Sequence, residues 1–148
     1  MKEWAPHVTV AAVIERNGSF LMVEELADGE PVLNQPAGHL EPGESLLAAV
    51  VRETHEETGH RFVPAALVGI YRWVHPGSGE TMLRLCFCGD IAGQVPQYPL
   101  DADIIDTHWL TPAELDSGRH RMRSPLVRRC LDDYRAGQRA PLDLLAEL

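Results

Sequence analysis

A loop rich in glycine and proline runs into a helix that carries three glutamates, in the segment AGHLEPGESLLAAVVRETHEETGH at residues 37–60. Ser45 stands where a side-chain oxygen caps the first helical turn, and Gly59 stands where a left-handed residue ends a helix. These two signals predict a helix over residues 45–58. The rest of the fold has to position this acidic helix.

The three glutamates of the helix lie close together. A helix advances about 100° per residue, so Glu53, Glu56 and Glu57 fall within one sector and repel one another. Arg52 lies four residues before Glu56, but its angular position predicts a side chain directed away from that sector. One arginine cannot neutralise three carboxylates, whereas hard Mg²⁺ or Mn²⁺ prefers oxygen ligands. Taken alone, the stretch also fits a solvated, charged helix end.

The composition limits the classes of function. A chain of 148 residues predicts a single domain spanning residues 1–148. With 22 acidic and 13 basic residues, a net charge of −9 argues against binding to nucleic acid or to an anionic membrane. The first residues lack the pattern of a secretory signal, and no apolar run approaches the ~20 residues that span a bilayer.

Three cysteines cannot all pair within one chain. Cys86 and Cys88 alternate along an apolar stretch, which predicts that both lie on one face of a strand. We expect these two and Cys130 to be buried free thiols rather than a metal or redox site. This expectation favours a cytoplasmic protein.

Strands and helices are interspersed along the chain, with Asn-Gly and Asp-Gly turns at residues 16–19 and 27–30 and a further turn at residues 75–80. The predicted strands are 7–15, 20–25, a short strand starting at 31, 65–74, 81–89 and 104–110. The remaining predicted helices are 111–118 and 124–135. This order predicts a mixed sheet with helices packed against it.

The spacing of charged residues and glycines extends well beyond the helix. The fixed positions are Gly38, Glu44, Arg52, Glu53, Glu56, Glu57 and Gly59. This segment resembles the Nudix box, the signature of the Nudix hydrolase family. Thr54 and His60 depart from it, because the family usually has bulky apolar residues there. The resemblance implies an α/β fold, an α/β/α sandwich with a central mixed sheet and a loop–helix–loop box.

The family resemblance implies a site that binds Mg²⁺ or Mn²⁺ and hydrolyses a diphosphate linkage. The implied metal ligands are the carbonyl of Gly38 and the carboxylates of Glu53, Glu56 and Glu57. Arg52 and Glu44 would hold the box in shape. The family's general base is either a box glutamate or an acidic residue on a later loop. On that loop Asp103 is our first candidate and Asp101 our second, although either also fits an ordinary turn residue.

Segments outside the box indicate a subgroup within the family. PHVTVA, NQPAGHLE, RSPLV and GQRAPL, between residues 6 and 142, are similar to the NudJ-type phosphatases of this family. These act on nucleoside di- and triphosphates and on thiamine-type diphosphates, and can release phosphate. A small-molecule diphosphate is therefore the implied substrate. We expect a monomer or a homodimer.

Candidate substrate-binding residues lie on the strands that flank the box. Tyr71 and Trp73 alternate on one strand, so they share a face on which a ring could stack, although core aromatics would show the same pattern. Gln35 precedes the box and could bind a ring edge or close a turn. Arg84 and Arg123 are the candidate phosphate-binding cations, and Arg84 needs a partner within its apolar strand.

Two other functions stay open. Pro76 is a weak indication of a hydrolase of ADP-ribose or another nucleoside-diphosphate sugar, and it also fits a turn. A non-catalytic Nudix module that binds nucleotides would usually lack one of the box carboxylates, and all three are present.

Overall fold

Strands and helices alternate along the chain, and the computed structural model describes residues 3–93 and 100–148. Within these ranges the strands are β1 His7–Arg16, β2 Ser19–Ala27, β3 Glu30–Asn34, β4 Ala37–His39, β5 Arg61–Val74, β6 Thr81–Ala92 and β7 Ile104–Leu110. The helices are α1 Leu46–Thr58, α2 Pro112–Asp116 and α3 Pro125–Arg135, followed by a 3₁₀ turn at Leu142–Leu144.

The strands form a mixed sheet in the order β3-β2-β1-β6-β5, with β4 paired to β1 and β7 paired to β2. β1 and β6 run parallel, whereas the other pairs are antiparallel. Both predicted tight turns have two consecutive residues with positive φ, Asn17–Gly18 and Asp28–Gly29. This geometry is typical of two-residue hairpins.

β1 is buried on both faces, because helices cover the two sides of the sheet. On one side it packs in a core with α1, formed by Val10, Ala12, Ile14, Ala49, Val50 and Phe87 among others. On the other side the core includes Ala11, Val13, Cys86, Cys88, Val127 and Cys130 and belongs partly to α3. The predicted sandwich and mixed sheet are therefore confirmed, as are the buried free cysteines.

One strand was not predicted, and two predicted boundaries were wrong. β4 lies within the segment that we expected to be a loop, β5 begins at Arg61 rather than Ala65, and β6 extends to Ala92 rather than Gly89. Pairing between β5 and β6 shifts register after Pro64, which has no N–H to donate. Such irregularities hide the alternation by which a strand is recognised. Within the described ranges, no helix has both the length and the apolar character needed to cross a membrane.

Candidate active site

Helix α1 has the ends that its sequence predicts. The Ser45 side-chain oxygen accepts a hydrogen bond from the Ala48 N–H at 3.0 Å. Gly59 has a φ of 76°, and its N–H donates to the His55 carbonyl at 2.8 Å. The helix is thus capped at both ends, it follows β4 and its loop, and the three glutamates lie in its C-terminal half.

A cluster of carboxylates lies at the C-terminal half of α1 and the loop at Asp101. Oxygens of Glu53, Glu56 and Asp101 all lie within 4.8 Å of one another, and among the described residues this is the group of acidic, histidine or cysteine side chains suited to a metal ion. The Asp101 N–H donates to the Glu56 carbonyl at 3.1 Å, which ties the later loop to the helix. Asp101, our second candidate, therefore joins the cluster, and Asp103 is not part of it.

Gly38 allows β4 to approach the cluster. A Cβ atom at this position would lie 2.1 Å from the Glu53 Cδ atom, closer than real atoms come. Only glycine therefore lets the backbone lie against that carboxylate. The adjoining His39 carbonyl accepts a hydrogen bond from Arg52 Nη2 at 3.0 Å, so the same arginine fixes β4 to the helix.

Arg52 connects the acidic groups. Its guanidinium donates twice to Glu44, at 2.7 and 2.9 Å, and once each to Glu53 at 2.8 Å and Glu56 at 3.1 Å. The hydrogen bonds from Arg52 lower the pKa of Glu44. The expectation that Arg52 is directed away from the carboxylate sector was wrong, because its long side chain reaches across the helix surface. These pairs agree with the expectation that Arg52 and Glu44 hold the box in shape, which stays a prediction.

Glu57, a predicted metal ligand, lies deeper than its neighbours and is not among the three residues of the cluster, so its role as a ligand stays a prediction. It is 7% exposed, and its Oε1 accepts a hydrogen bond from the Ala37 N–H at 2.8 Å. Burial raises the pKa of Glu57 to about 9. Burial also raises the pKa of Glu53, and its hydrogen bond from Arg52 opposes that rise only in part. Both carboxyl groups therefore lie where additional positive charge would favour their ionised form.

A divalent metal ion fits this arrangement. The cluster offers carboxylate oxygens alone, which hard cations prefer, and the Arg52 guanidinium is shared among Glu44, Glu53 and Glu56. The close approach of the Gly38 backbone adds a carbonyl-bearing segment beside Glu53. Residues of the right chemistry thus surround one point between α1, β4 and the loop at Asp101.

Two predicted substrate-binding residues are buried. Arg84 is 5% exposed and donates to Gln35 Oε1 at 2.8 Å and to Asn34 Oδ1 at 3.1 Å. Gln35 Nε2 donates to the Val127 carbonyl at 2.8 Å. Both Arg84 and Gln35 bind other parts of the protein, and their direct contact with substrate stays a prediction.

The other three predicted residues reach the surface. Tyr71 and Trp73 line a groove of about 400 Å³ between β5 and α3, together with Leu126, Arg129 and Gln138 among others. The Tyr71 hydroxyl donates to Asp133 Oδ2 at 2.8 Å, which fixes the ring against the last turn of α3. The Arg123 side chain is half exposed and lies 3.1 Å from Glu25.

One of the two unusual positions of the box has a structural explanation. Thr54 is fully buried, and its hydroxyl donates to the Val50 carbonyl one turn earlier at 2.8 Å. A polar residue is tolerated there because its hydrogen bond is satisfied within the helix. His60 is partly buried, and burial lowers its pKa. Nothing in the described part of the chain explains why histidine stands at that position.

Sequence comparisons agree with this geometry. The NUDIX domain model matches residues 5–130, and the chain belongs to the NUDIX family. It is thus a Nudix hydrolase, an enzyme that acts on phosphoanhydride bonds in a family whose members generally depend on divalent metal ions.

Individual relatives match over almost the whole chain. Phosphatase NudJ from Escherichia coli K12 is 39% identical over 142 residues, which cover 96% of this chain and 92% of that protein. A NUDIX hydrolase from Nitrosomonas europaea superposes with a TM-score of 0.94 at 47% identity, covering 97% of this chain and 98% of that one. The NUDIX domain of Shewanella oneidensis NrtR, solved with ADP ribose, shares the fold with a TM-score of 0.74 at 17% identity, covering 90% and 88% of the two chains.

Proposed function

We propose that the enzyme hydrolyses phosphoanhydride bonds of nucleoside di- and triphosphates and of thiamine-type diphosphates, and that it releases phosphate. The likeness to phosphatases named NudJ over 96% of the chain supports this class of reaction. The observation that carries the proposal is the set of carboxylate oxygens within 4.8 Å of one another beside the Gly38 backbone.

The metal in this proposal is Mg²⁺ or Mn²⁺. It would be held by Glu53, Glu56, Glu57 and the Gly38 carbonyl, with Asp101 as an additional ligand or as a base. When bound, such an ion neutralises phosphate charge and makes coordinated water more acidic. Arg52 and Glu44 act as positioning residues, because their hydrogen bonds fix the carboxylates before substrate arrives.

The general base is assigned to the loop that follows residue 99. Asp101 is favoured over Asp103, because its carboxylate lies within the cluster and its N–H binds the end of helix α1. An Asp101 carboxylate in this place could accept the proton of the attacking water. Asp103 lies two residues farther along, and its carbonyl accepts a hydrogen bond from the Leu26 N–H at 3.4 Å.

Substrate contacts are assigned by exposure. Arg123 would bind a terminal phosphate, because it is a partly exposed guanidinium beside the box. Tyr71 and Trp73 would contact the base or the thiamine-type ring in the groove between β5 and α3. Arg84 and Gln35, which are buried, would act on substrate through the side chains that they hold.

A nucleoside-diphosphate sugar is the second candidate substrate. The fold is shared with an NrtR domain solved with ADP ribose, which favours this alternative at the level of fold alone. Pro76 lies in the exposed turn between β5 and β6, and this position also suits an ordinary turn. A non-catalytic role is disfavoured, because every carboxylate of the box is present.

Partners and location complete the proposal. We expect a monomer or a homodimer that acts on small molecules in the cytoplasm, without nucleic acid or membrane as partner. The net charge of −9 and the three free cysteines support this expectation.

Product analysis separates the candidate substrates. The purified protein is incubated with ATP, ADP, thiamine diphosphate or ADP-ribose in Mg²⁺ and in Mn²⁺, and the phosphorus-containing products are identified. Orthophosphate from the nucleotides and from thiamine diphosphate supports the proposal. AMP with ribose phosphate as the main products would support the second candidate, and binding without turnover would support a non-catalytic module.

A further inference from the structure

Arg84 is a buried cation whose hydrogen-bond partners are two amides rather than a carboxylate. It is 5% exposed, it binds Gln35 and Asn34, and among the described residues its Nε atom has no hydrogen-bond partner. Buried guanidinium groups normally pair with an anion, because an uncompensated buried charge is costly. The carboxylate that this hydrogen-bond network reaches lies one step farther along, beyond Asn34.

Asn34 links Arg84 to a carboxylate. Its Oδ1 accepts the hydrogen bond from Arg84 Nη2 at 3.1 Å, and its Nδ2 donates to Glu25 Oε1 at 3.1 Å. A guanidinium can only donate and a carboxylate can only accept, so the two partners fix the orientation of the amide between them. The cation of Arg84 is thereby linked to the anion of Glu25 through one buried side chain.

Arg123 ends the network at the surface. Its Nη1 lies 3.1 Å from Glu25 Oε1, and its side chain is 46% exposed whereas that of Glu25 is 9% exposed. Its backbone is fixed as well, because the Arg123 N–H donates to the Leu33 carbonyl at 2.8 Å, next to Asn34. Arg123 is therefore the exposed member of a network, joined to it by an ion pair, whose other members are buried.

The network lies beside the carboxylate cluster. Asn34 ends β3 and β4 begins at Ala37, so the same short segment carries the amide and Gly38. Burial and His7 lower the pKa of His39, and the charge of Arg123 lowers it further. Burial is the main cause of the raised pKa of Glu57, and the charge of Glu25 adds to it. Both ends of the Glu25–Arg123 pair are thus within electrostatic range of the box.

The network carries two arginines and one glutamate, in a protein with a net charge of −9. It therefore supplies local positive charge next to a site for an anionic substrate. We infer that Arg84, Asn34 and Glu25 are positioning residues, which hold Arg123 in place to bind the terminal phosphate of the substrate. This inference rests on the proposed function and names residues that determine substrate affinity.

A double-mutant cycle tests the inference on the full-length enzyme. Asn34→Leu removes both hydrogen bonds while keeping the number and branching of side-chain heavy atoms, and Arg123→Gln removes the proposed phosphate ligand. Each single change should raise KM for ATP about tenfold while kcat stays within about threefold, which is the effect of losing one charged hydrogen bond to substrate. In the Arg123→Gln background, Asn34→Leu should change KM less than about twofold, because the two act on the same contact.

Two further variants serve as a replacement for Asn34→Leu and as a control. Glu25→Gln keeps an acceptor for Asn34 and removes the charge that holds Arg123, so it repeats the cycle if Asn34→Leu fails to fold. Arg128→Gln removes an arginine of α3 that pairs with Asp116 on the surface, and it should leave KM and kcat unchanged.

The outcomes are distinguishable. Non-additive increases in KM support the inference. Additive increases, an unchanged KM, or a fall in kcat alone would overturn it and leave the proposed hydrolysis intact. A wild-type protein with no turnover of ATP, ADP or thiamine diphosphate in Mg²⁺ or Mn²⁺ would overturn the proposed function and this inference together.

Discussion

Glu57→Gln should stabilise the metal-free protein at neutral pH. The glutamate is 7% exposed, and burial raises its pKa from 4.5 to about 9. The folded state thus keeps this carboxyl protonated at pH 7, whereas the unfolded chain releases the proton. Glutamine retains the oxygen that accepts from the Ala37 N–H, so the hydrogen bond at 2.8 Å survives the substitution.

The size of the effect follows from proton linkage. Because the folded pKa lies above the unfolded one, the contribution of Glu57 to stability is complete below pH 4.5 and is lost as the pH rises toward 9. Each pH unit in that window costs about 1.4 kcal/mol, so the loss at pH 7 is about 3 kcal/mol. For a domain of this size, that corresponds to a difference in Tm of about 6–12 °C.

Urea unfolding in EDTA from pH 4 to pH 8 measures this difference. Glu57→Gln should match the wild type near pH 4 and exceed its free energy of unfolding increasingly up to pH 8. Glu30→Gln, which removes an exposed glutamate at the start of β3, is the matched control. The claim that Glu57 is buried as a neutral carboxyl group would be refuted by either of two results. One is a Glu57→Gln protein that is less stable than the wild type at pH 7, and the other is a difference in stability that does not change with pH.

Three further predictions concern the box and its loop. Gly38→Ala should lower kcat/KM at least about tenfold and raise the Mg²⁺ concentration needed for half-maximal activity, because the added Cβ would displace the Glu53 carboxylate. A titration of activity with Mg²⁺ measures both effects. Arg52→Lys should cost about tenfold or more in kcat/KM with little change in Tm, since lysine cannot make the forked contacts, and a fully active variant would contradict this role. Asp101→Asn should lower kcat about 100-fold or more while Asp103→Asn leaves it nearly unchanged, and the reverse order would reassign the base.

Much of the fold can be predicted from local signals. The tight turns at Asn17–Gly18 and Asp28–Gly29 and the caps of helix α1 follow from the backbone preferences of single residues. Strand β4 escaped prediction because it is three residues long and pairs with β1 through backbone groups, which leave no pattern in the side chains. The register shift at Pro64 similarly depends on the partner strand.

The site was predictable in its residue types and less so in its arrangement. Glycine and glutamate spacing indicates which residues gather, but not that Arg52 crosses the helix to reach Glu53 and Glu56. The contact of Asp101 with the cluster joins residues far apart in sequence, and no local pattern records it. Glu25 was missed for the same reason, because its burial is visible only when β2, β3 and the loop at Arg123 are assembled.

The central claim is that the helix glutamates hold a divalent ion on which hydrolysis depends. It is tested most directly by comparing wild type and Glu56→Gln in phosphate release from ATP and thiamine diphosphate across Mg²⁺ and Mn²⁺ concentrations. We expect the variant to lose nearly all activity at every metal concentration while its free energy of unfolding in EDTA stays at or above that of the wild type, since one carboxylate of the cluster is removed. Activity within a few-fold of the wild type would contradict the claim.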